Sequence, residues 1–283
     1  MFGFINIYKP KGKTSHDIVS IMRKLAGIKQ IGHTGTLDPF AEGVLPICIG
    51  KATRLIEYLD DDKAYIGTIK LGEATETYDI EGCITKTSTK KADLQDIENK
   101  IANFVGEVEQ LPPIYSAIKV HGKKLYEYAR KGEQVEIKPR KTTINELKIL
   151  KFDYDNQILE VYIDCSKGTY IRSIAHDLGE SLGTHGHLIK LIRVKAGSFK
   201  LDETIHLENL KTKEDVEKNL IQPLTYLKYP KYELCGTEIT RVTNGMSIDI
   251  NAQDGIFLLT SSKKLIAVAE VKNKIAKCLK VFN

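Results

Sequence analysis

The stretch Gly32-His33-Thr34-Gly35-Thr36-Leu37-Asp38-Pro39-Phe40-Ala41-Glu42-Gly43-Val44-Leu45-Pro46-Ile47-Cys48-Ile49-Gly50 limits what this chain can fold into more than any other. Proline fixes φ and lacks an amide hydrogen, so Pro39 biases Asp38 toward an extended backbone and no helix passes through the pair. Glycines ahead of Asp38 allow tight backbone geometry and close approach of a ligand, and the apolar run that follows has strand character. One carboxylate is therefore presented on a stiff loop that leads into a strand. By spacing alone Asp38 reads as a turn residue, because Asp-Pro is common in loops and aspartate caps turns with its own side chain.

Upstream, residues 4–8 alternate enough for a first strand, and Lys9-Pro10-Lys11-Gly12-Lys13-Thr14-Ser15 is a basic loop. Ser15 is placed to cap an amphipathic helix carrying Ile18, Val19, Ile21, Met22 and Leu25. Gly-Lys-Thr-Ser imitates the end of a phosphate-binding loop, but Ile7 stands where that motif needs its first glycine, which excludes a nucleoside-triphosphate site of that kind. Downstream, 52–59 reads as a short helix and 63–71 as a long strand with Tyr65 near its start. Residues 86–93 read as a polar surface loop and 94–105 have helical spacing. Segments 135–150 and 158–165 read as strands paired around Asp155-Asn156. Ile171, Ile174, Ala175 and Leu178 then share one face of a helix. Residues 239–245 suggest a short helix stopped by Gly245, followed by apolar runs at 256–259 and 266–269. His185 and His187 have no carboxylate or cysteine partner nearby in the chain, so no metal site is expected. The five cysteines lie far apart and suggest neither zinc nor a disulfide framework.

Residues 111–132 interleave Lys119, Lys123, Lys124, Arg130 and Lys131 with Tyr115, Tyr126 and Tyr128. That combination grips phosphates while offering rings on which bases stack, although it equally describes a solvated helix with a tyrosine-lined inner face. A net charge of +5 permits nucleic-acid binding without requiring it. Hydrophobic residues at 42% and charged residues at 28% are ordinary for a soluble globular protein. No apolar run is long enough to span a bilayer, and the opening residues lack the pattern of a signal peptide, so a cytoplasmic protein without membrane association is expected.

Gly-His-Thr-Gly-x-Leu-Asp-Pro-x-Ala-x-Gly-x-Leu-Pro resembles the catalytic motif of the TruB family, the tRNA pseudouridine synthases acting on the T-loop uridine at position 55. Further stretches extend the resemblance over nearly the whole chain. They are the Lys-Pro-x-Gly-x-Thr-Ser loop from Lys9, the Lys-x-Tyr ending at Tyr65, and Lys-Gly-Thr-Tyr-Ile-Arg-Ser-Ile from Lys167. The stretch from Leu191 to Phe199 is similar to the family's Leu-Arg-Arg-x-x-x-Gly-x-Phe but departs from it at Ile192, where an arginine is usual. Residues from about 112 to 140 look like the family's RNA-clamping insertion, and residues 229–283 like a small β-rich module of the PUA type.

The resemblance implies an α+β pseudouridine synthase fold, with a mixed or antiparallel central sheet flanked by helices over residues 1–228. It implies that Asp38 is catalytic and paired with Arg172, and that Tyr65, Tyr170 and Leu191 sandwich the uracil. Tyr65 is also the candidate for taking the C5 proton. His33 is expected to hold the flipped conformation, and Lys9, Lys119, Lys123, Arg130 and Arg193 to meet the RNA backbone. The implied reaction needs no cofactor, and the implied partner is the tRNA T-arm, with no obligatory protein partner or guide RNA. Two other functions fit a chain of this kind: a tRNA-folding chaperone whose chemistry is secondary or lost, and a guide-dependent synthase with protein partners. Intact Asp38, Tyr65 and Arg172 speak against lost chemistry, and the insertion and short C-terminal module against guide dependence.

Overall fold

Strands β1 (Gly3–Lys9) and β2 (Glu42–Ile49) pair antiparallel, from Gly3 opposite Ile49 to Lys9 opposite Gly43. Their side chains alternate between two buried faces, as the two-residue period of a strand requires. Ile5, Ile7, Leu45, Ile47 and Ile49 meet Ile18, Val19 and Met22 of helix α1 (Ser15–Ala26) on one side. Phe4, Val44 and Cys48 face the other side. The N-cap of α1 is Thr14, not the expected Ser15. The Thr14 hydroxyl accepts from Asp17 N at 3.0 Å while the Asp17 carboxylate accepts from Thr14 N at 2.8 Å, a reciprocal capping box. Ser15 turns inward instead, and its hydroxyl accepts from Leu37 N at 2.8 Å, tying the helix to the loop before Asp38.

The computed structural model describes residues 1–282. Its main sheet continues with β3 (Lys63–Leu71), β4 (Gly106–Gln110), β5 (Arg140–Asp153), β6 (Ile158–Cys165) and β7 (Gly186–Ala196). The spatial order is β1-β2-β7-β3-β6-β5-β4, with the short strand Ile205–His206 outside β1. β7 runs parallel to β2 and antiparallel to β3, so the sheet is mixed. Helices α2 (Leu94–Ile101) and α4 (Ile171–Leu182) cover one face, where Ile171, Ile174 and Leu178 pack with Ile69, Val161, Ile163 and Leu188. Helix α3 (Leu125–Lys131) lies in the segment expected to clamp RNA. Residues 50–58 form a 3-10 helix where a short α-helix was expected, and strand β5 begins only at Arg140, leaving 135–139 without regular structure.

After helix α5 (Lys213–Lys218), a second sheet is built from β8 (Lys231–Glu233), β9 (Ile248–Asp249), β10 (Gly255–Ser261), β11 (Lys264–Lys272) and β12 (Ile275–Val281), in the order β8-β10-β11-β12-β9. Helix α6 (Thr237–Thr243) packs Val242 onto it. This curled sheet is the PUA-like β module, and its Leu258, Leu265, Val268 and Phe282 share a core with Phe4, Val44, Cys48 and Leu55 of the main body. The module thus buttresses the two strands behind the Asp38 loop.

Gly43 marks the tightest approach in the sheet. Its φ is +101°, and a Cβ there would stand 2.3 Å from the carbonyl oxygen of Arg193 on β7. Gly43→Ala is therefore expected to lower the free energy of unfolding by roughly 2 kcal/mol or more, through overpacking and a strained backbone together. An unchanged midpoint in chemical denaturation would show that β7 does not hold this strand as closely as described.

Candidate active site

The Asp38 loop, the first residues of β3, Leu191 of β7, the N-terminus of α4 and residues 115–117 and 126 enclose a cavity of about 450 Å³. That volume is within the range of pockets that hold small organic ligands. Asp38 lines it together with Arg172, Tyr65, Tyr115, Tyr170 and Leu191.

Arg172 projects from the first turn of α4 with its side chain only 6% exposed. Its Nε lies 2.9 Å from Asp38 Oδ2 and its Nη2 3.3 Å from Oδ1, a two-pronged grip. The remaining hydrogens are spent on Thr77 O at 3.1 Å, Tyr115 O at 3.1 Å and Asp79 Oδ2 at 3.4 Å. Asp79 is itself buried and accepts from Thr77 Oγ1 at 2.6 Å and Glu81 N at 3.0 Å. One guanidinium thus serves two carboxylates. Desolvation pushes the Asp38 carboxyl above the ordinary carboxylate range; the Arg172 cation opposes that shift and Asp79 adds to it.

Lys9 and Arg193, expected on the RNA backbone, are both 0% exposed, and this corrects that expectation: neither reaches solvent to meet a phosphate. They hold the Asp38 loop by its carbonyl oxygens instead. Lys9 Nζ donates to Pro10 O at 3.0 Å, Pro39 O at 3.2 Å and Ala41 O at 2.6 Å. Arg193 donates from Nε to Val44 O at 2.7 Å, from Nη1 to Thr36 O at 3.3 Å and from Nη2 to Gly35 O at 3.1 Å. Its cation stands near the Tyr65 hydroxyl, which burial pushes up to about 12.

Tyr65, Tyr170 and Leu191 come together on the cavity wall, whereas His33 is not among its lining residues. His33 ends the short strand Ile31–His33, with Nδ1 buried and unpartnered, and burial and nearby Arg193 hold its ring below the usual value. In the segment expected to clamp RNA, Lys119 and Arg130 are exposed. Lys123 pairs with Glu133 at 2.5 Å and sits 4.3 Å from the centre of the Tyr128 ring, and Arg130 lies 5.4 Å from that of Tyr126, so these rings already carry cations of their own segment. His185 does have a carboxylate partner, Glu180 at 2.6 Å, which the sequence spacing hid.

The family model described as the N-terminal domain of TruB family pseudouridylate synthases matches residues 23–171. A second, the tRNA pseudouridylate synthase B C-terminal domain, matches residues 172–227. The chain belongs to the TruB family. Among its relatives, the tRNA pseudouridine synthase B of Caldanaerobacter subterraneus is 44% identical over 87% of this chain and 86% of its own. That of Geobacillus thermodenitrificans is 40% identical over the full length of both. A chain of the crystal structure of a Cbf5-Nop10-Gar1 complex superposes with a TM-score of 0.74 at 26% identity, covering all of this chain and 85% of its own.

In this TruB chain, sequence reasoning placed Asp79 only in a polar connection, with Thr75, Thr77, Glu81 and Gly82, and did not single out Gln110 or the inward role of Lys9. Gln110 locks the backbone of Tyr170 from both sides, accepting from Tyr170 N at 2.7 Å and donating to Tyr170 O at 3.0 Å. The signal for Lys9 lay in the strand period, which puts Ile5, Ile7 and Lys9 on one face. Thr75, Thr77 and Asp79 form a run of short side chains of the kind that bond neighbouring backbone.

Burial holds the Lys9 ammonium down at about 8, against its ordinary 10.5. Between those values the unfolded chain keeps a proton that the folded chain has released, so stability rises with pH across that window. Measured against Lys9→Met, the folded wild type should gain on the order of 3 kcal/mol between pH 8 and 10.5; a pH-independent difference would mean that Lys9 titrates normally. At the cavity, Arg172→Lys cannot reproduce a planar fork. It should slow single turnover at least tenfold, about 1.4 kcal/mol, and, by opposing the desolvation of Asp38 less well, move the acid limb of the rate to higher pH. A rate within about threefold of wild type would remove the ion pair from the mechanism.

Proposed function

We propose that this chain, a tRNA pseudouridine synthase by its family, isomerises the T-loop uridine at position 55, acting alone and without a cofactor. The observation that carries this reading is the single cavity-lining carboxylate, Asp38, gripped on both oxygens by buried Arg172 and surrounded by Tyr65, Tyr170 and Leu191. A base stacked inside a folded T-loop cannot reach such a recess, so the uridine flips into it. Residues 1–228 act as the catalytic unit, with residues 112–140 gripping the T-arm and 229–283 adding an RNA-binding module. The same grip on the T-arm supports a second role in tRNA folding.

The two-pronged grip occupies one lone pair on each Asp38 oxygen and leaves others free toward the cavity. The ionised carboxylate either attacks C1′ or takes the C2′ proton to give a glycal; in both routes the N1 to C1′ bond breaks and uracil leaves with the electron pair. The uracil turns between Tyr65, Tyr170 and Leu191, and C5 bonds to C1′, displacing the Asp38 carboxylate from C1′ in the first route or adding to the glycal while Asp38 returns the proton to C2′ in the second; the C5 proton then departs. Tyr65 is protonated at neutral pH, its hydroxyl held at about 12. It accepts the C5 proton only by giving its own proton on in the same step, and Asp38 is the carboxylate lining the cavity.

The test is tritium release from a T-arm stem-loop labelled at uridine C5, with no added protein or guide. Wild type should release tritium. Asp38→Asn should release none yet bind the RNA nearly as tightly, because phosphate contacts dominate affinity. Tyr65→Phe should stall after glycosidic cleavage, and unchanged turnover would end its role in proton transfer. Tight binding without release by wild type would shift the reading to a chaperone or a partner-dependent enzyme.

A further inference from the structure

Resting on that reading of the cavity as the seat of the flipped uridine, we infer that Lys63 binds the phosphate adjoining the target nucleotide. Lys63 opens β3 two residues before Tyr65, so both side chains face the same side of the strand, and both line the cavity. Two residues along a strand span roughly 6.6 Å, which carries the ammonium from the base wall toward the sugar-phosphate edge of a nucleotide seated on Tyr65. The stem of Lys63 lies over Gly35, where a Cβ would stand 3.3 Å from its Cε.

The charge around Lys63 leaves it without a carboxylate of its own. The acidic run beside it is already matched: Asp60 pairs with Lys228, Asp61 with Lys167 at 2.6 Å, and Asp62 with Lys195, which also reaches Asp164. Lys63 forms no ion pair among the described residues, and its one hydrogen bond is to the carbonyl oxygen of Asp61 at 3.1 Å. Across Gly35 stands another cation, Arg193, which donates to the carbonyl oxygens of Gly35, Thr36 and Val44. Burial and that neighbour hold the ammonium below its usual value, a penalty that an incoming anion relieves.

The experiment measures binding of a T-arm stem-loop, natural or with a neutral methylphosphonate 5′ or 3′ to the target uridine, to the full chain in an Asp38→Asn background that stops turnover. With Lys63 present, one of the two substitutions should weaken binding about tenfold, the scale of a charge-assisted hydrogen bond. Lys63→Met should bind the natural RNA about tenfold more weakly and respond to that methylphosphonate less than twofold. It should also lower the slope of log affinity against log salt by about 0.7, and Lys63→Arg should restore both responses. Insensitivity of the Lys63 protein to both methylphosphonates would overturn the inference without any variant. So would an unchanged slope and response in Lys63→Met. Failure of the Lys63 protein to bind the T-arm at all would overturn it together with the functional reading.

Discussion

A guanidinium buried between two carboxylates is the interaction on which the site depends. Removing such a cation would strand Asp38 and Asp79 in a desolvated pocket, a loss on the order of 3 kcal/mol or more. The same side chain ties together three segments: the Asp38 loop, the turn at Thr77, and the stretch that carries Tyr115. The direction in which the Asp38 carboxylate faces is therefore fixed by one residue. Tyr115 is held beside the carboxylate by it as well.

A second pair of cations works from behind. Lys9 and Arg193 donate to carbonyl oxygens at both ends of the loop, Gly35 and Thr36 before Asp38 and Pro39 and Ala41 after it. A loop without regular structure has no internal ladder to occupy its carbonyls, and buried carbonyls left unpaired are costly. Positive groups satisfy that need and draw the carboxylate's field toward the protein. Ile192, where the family pattern has an arginine, is half-buried beside Arg193 and lies opposite Glu42 in the sheet, so this position holds a packing residue between β2 and β3.

Much of this was legible in the chain itself. The alternation in β1 and β6, the one-sided helix at Ile171–Leu182 and the Pro39 break appear where the patterns put them. Asp38, Arg172, Tyr65, Tyr170 and Leu191, widely separated in sequence, do converge on one cavity. What misled was charge. Lysine and arginine read as surface residues unless their strand phase is followed, and Lys9 and Arg193 sit in phase with buried Ile7 and Leu191. The pairings of Asp79 with Arg172 and of Gln110 with Tyr170 leave no local pattern, because in each the partner lies far away in sequence.

The place of β7 also bears on how the molecule is made. Without it the main sheet falls into two separate ribbons, β1 with β2 and β3 with β6, β5 and β4, each with an open edge. Asp38 belongs to the first ribbon, Tyr65 to the second, and Leu191 to the strand that joins them. During synthesis the two ribbons wait with unpaired backbone until the residues after Gly186 emerge, the stage at which such edges are most prone to wrong partners. The pocket comes into being in that late closure, as a product of pairings between strands far apart in the chain.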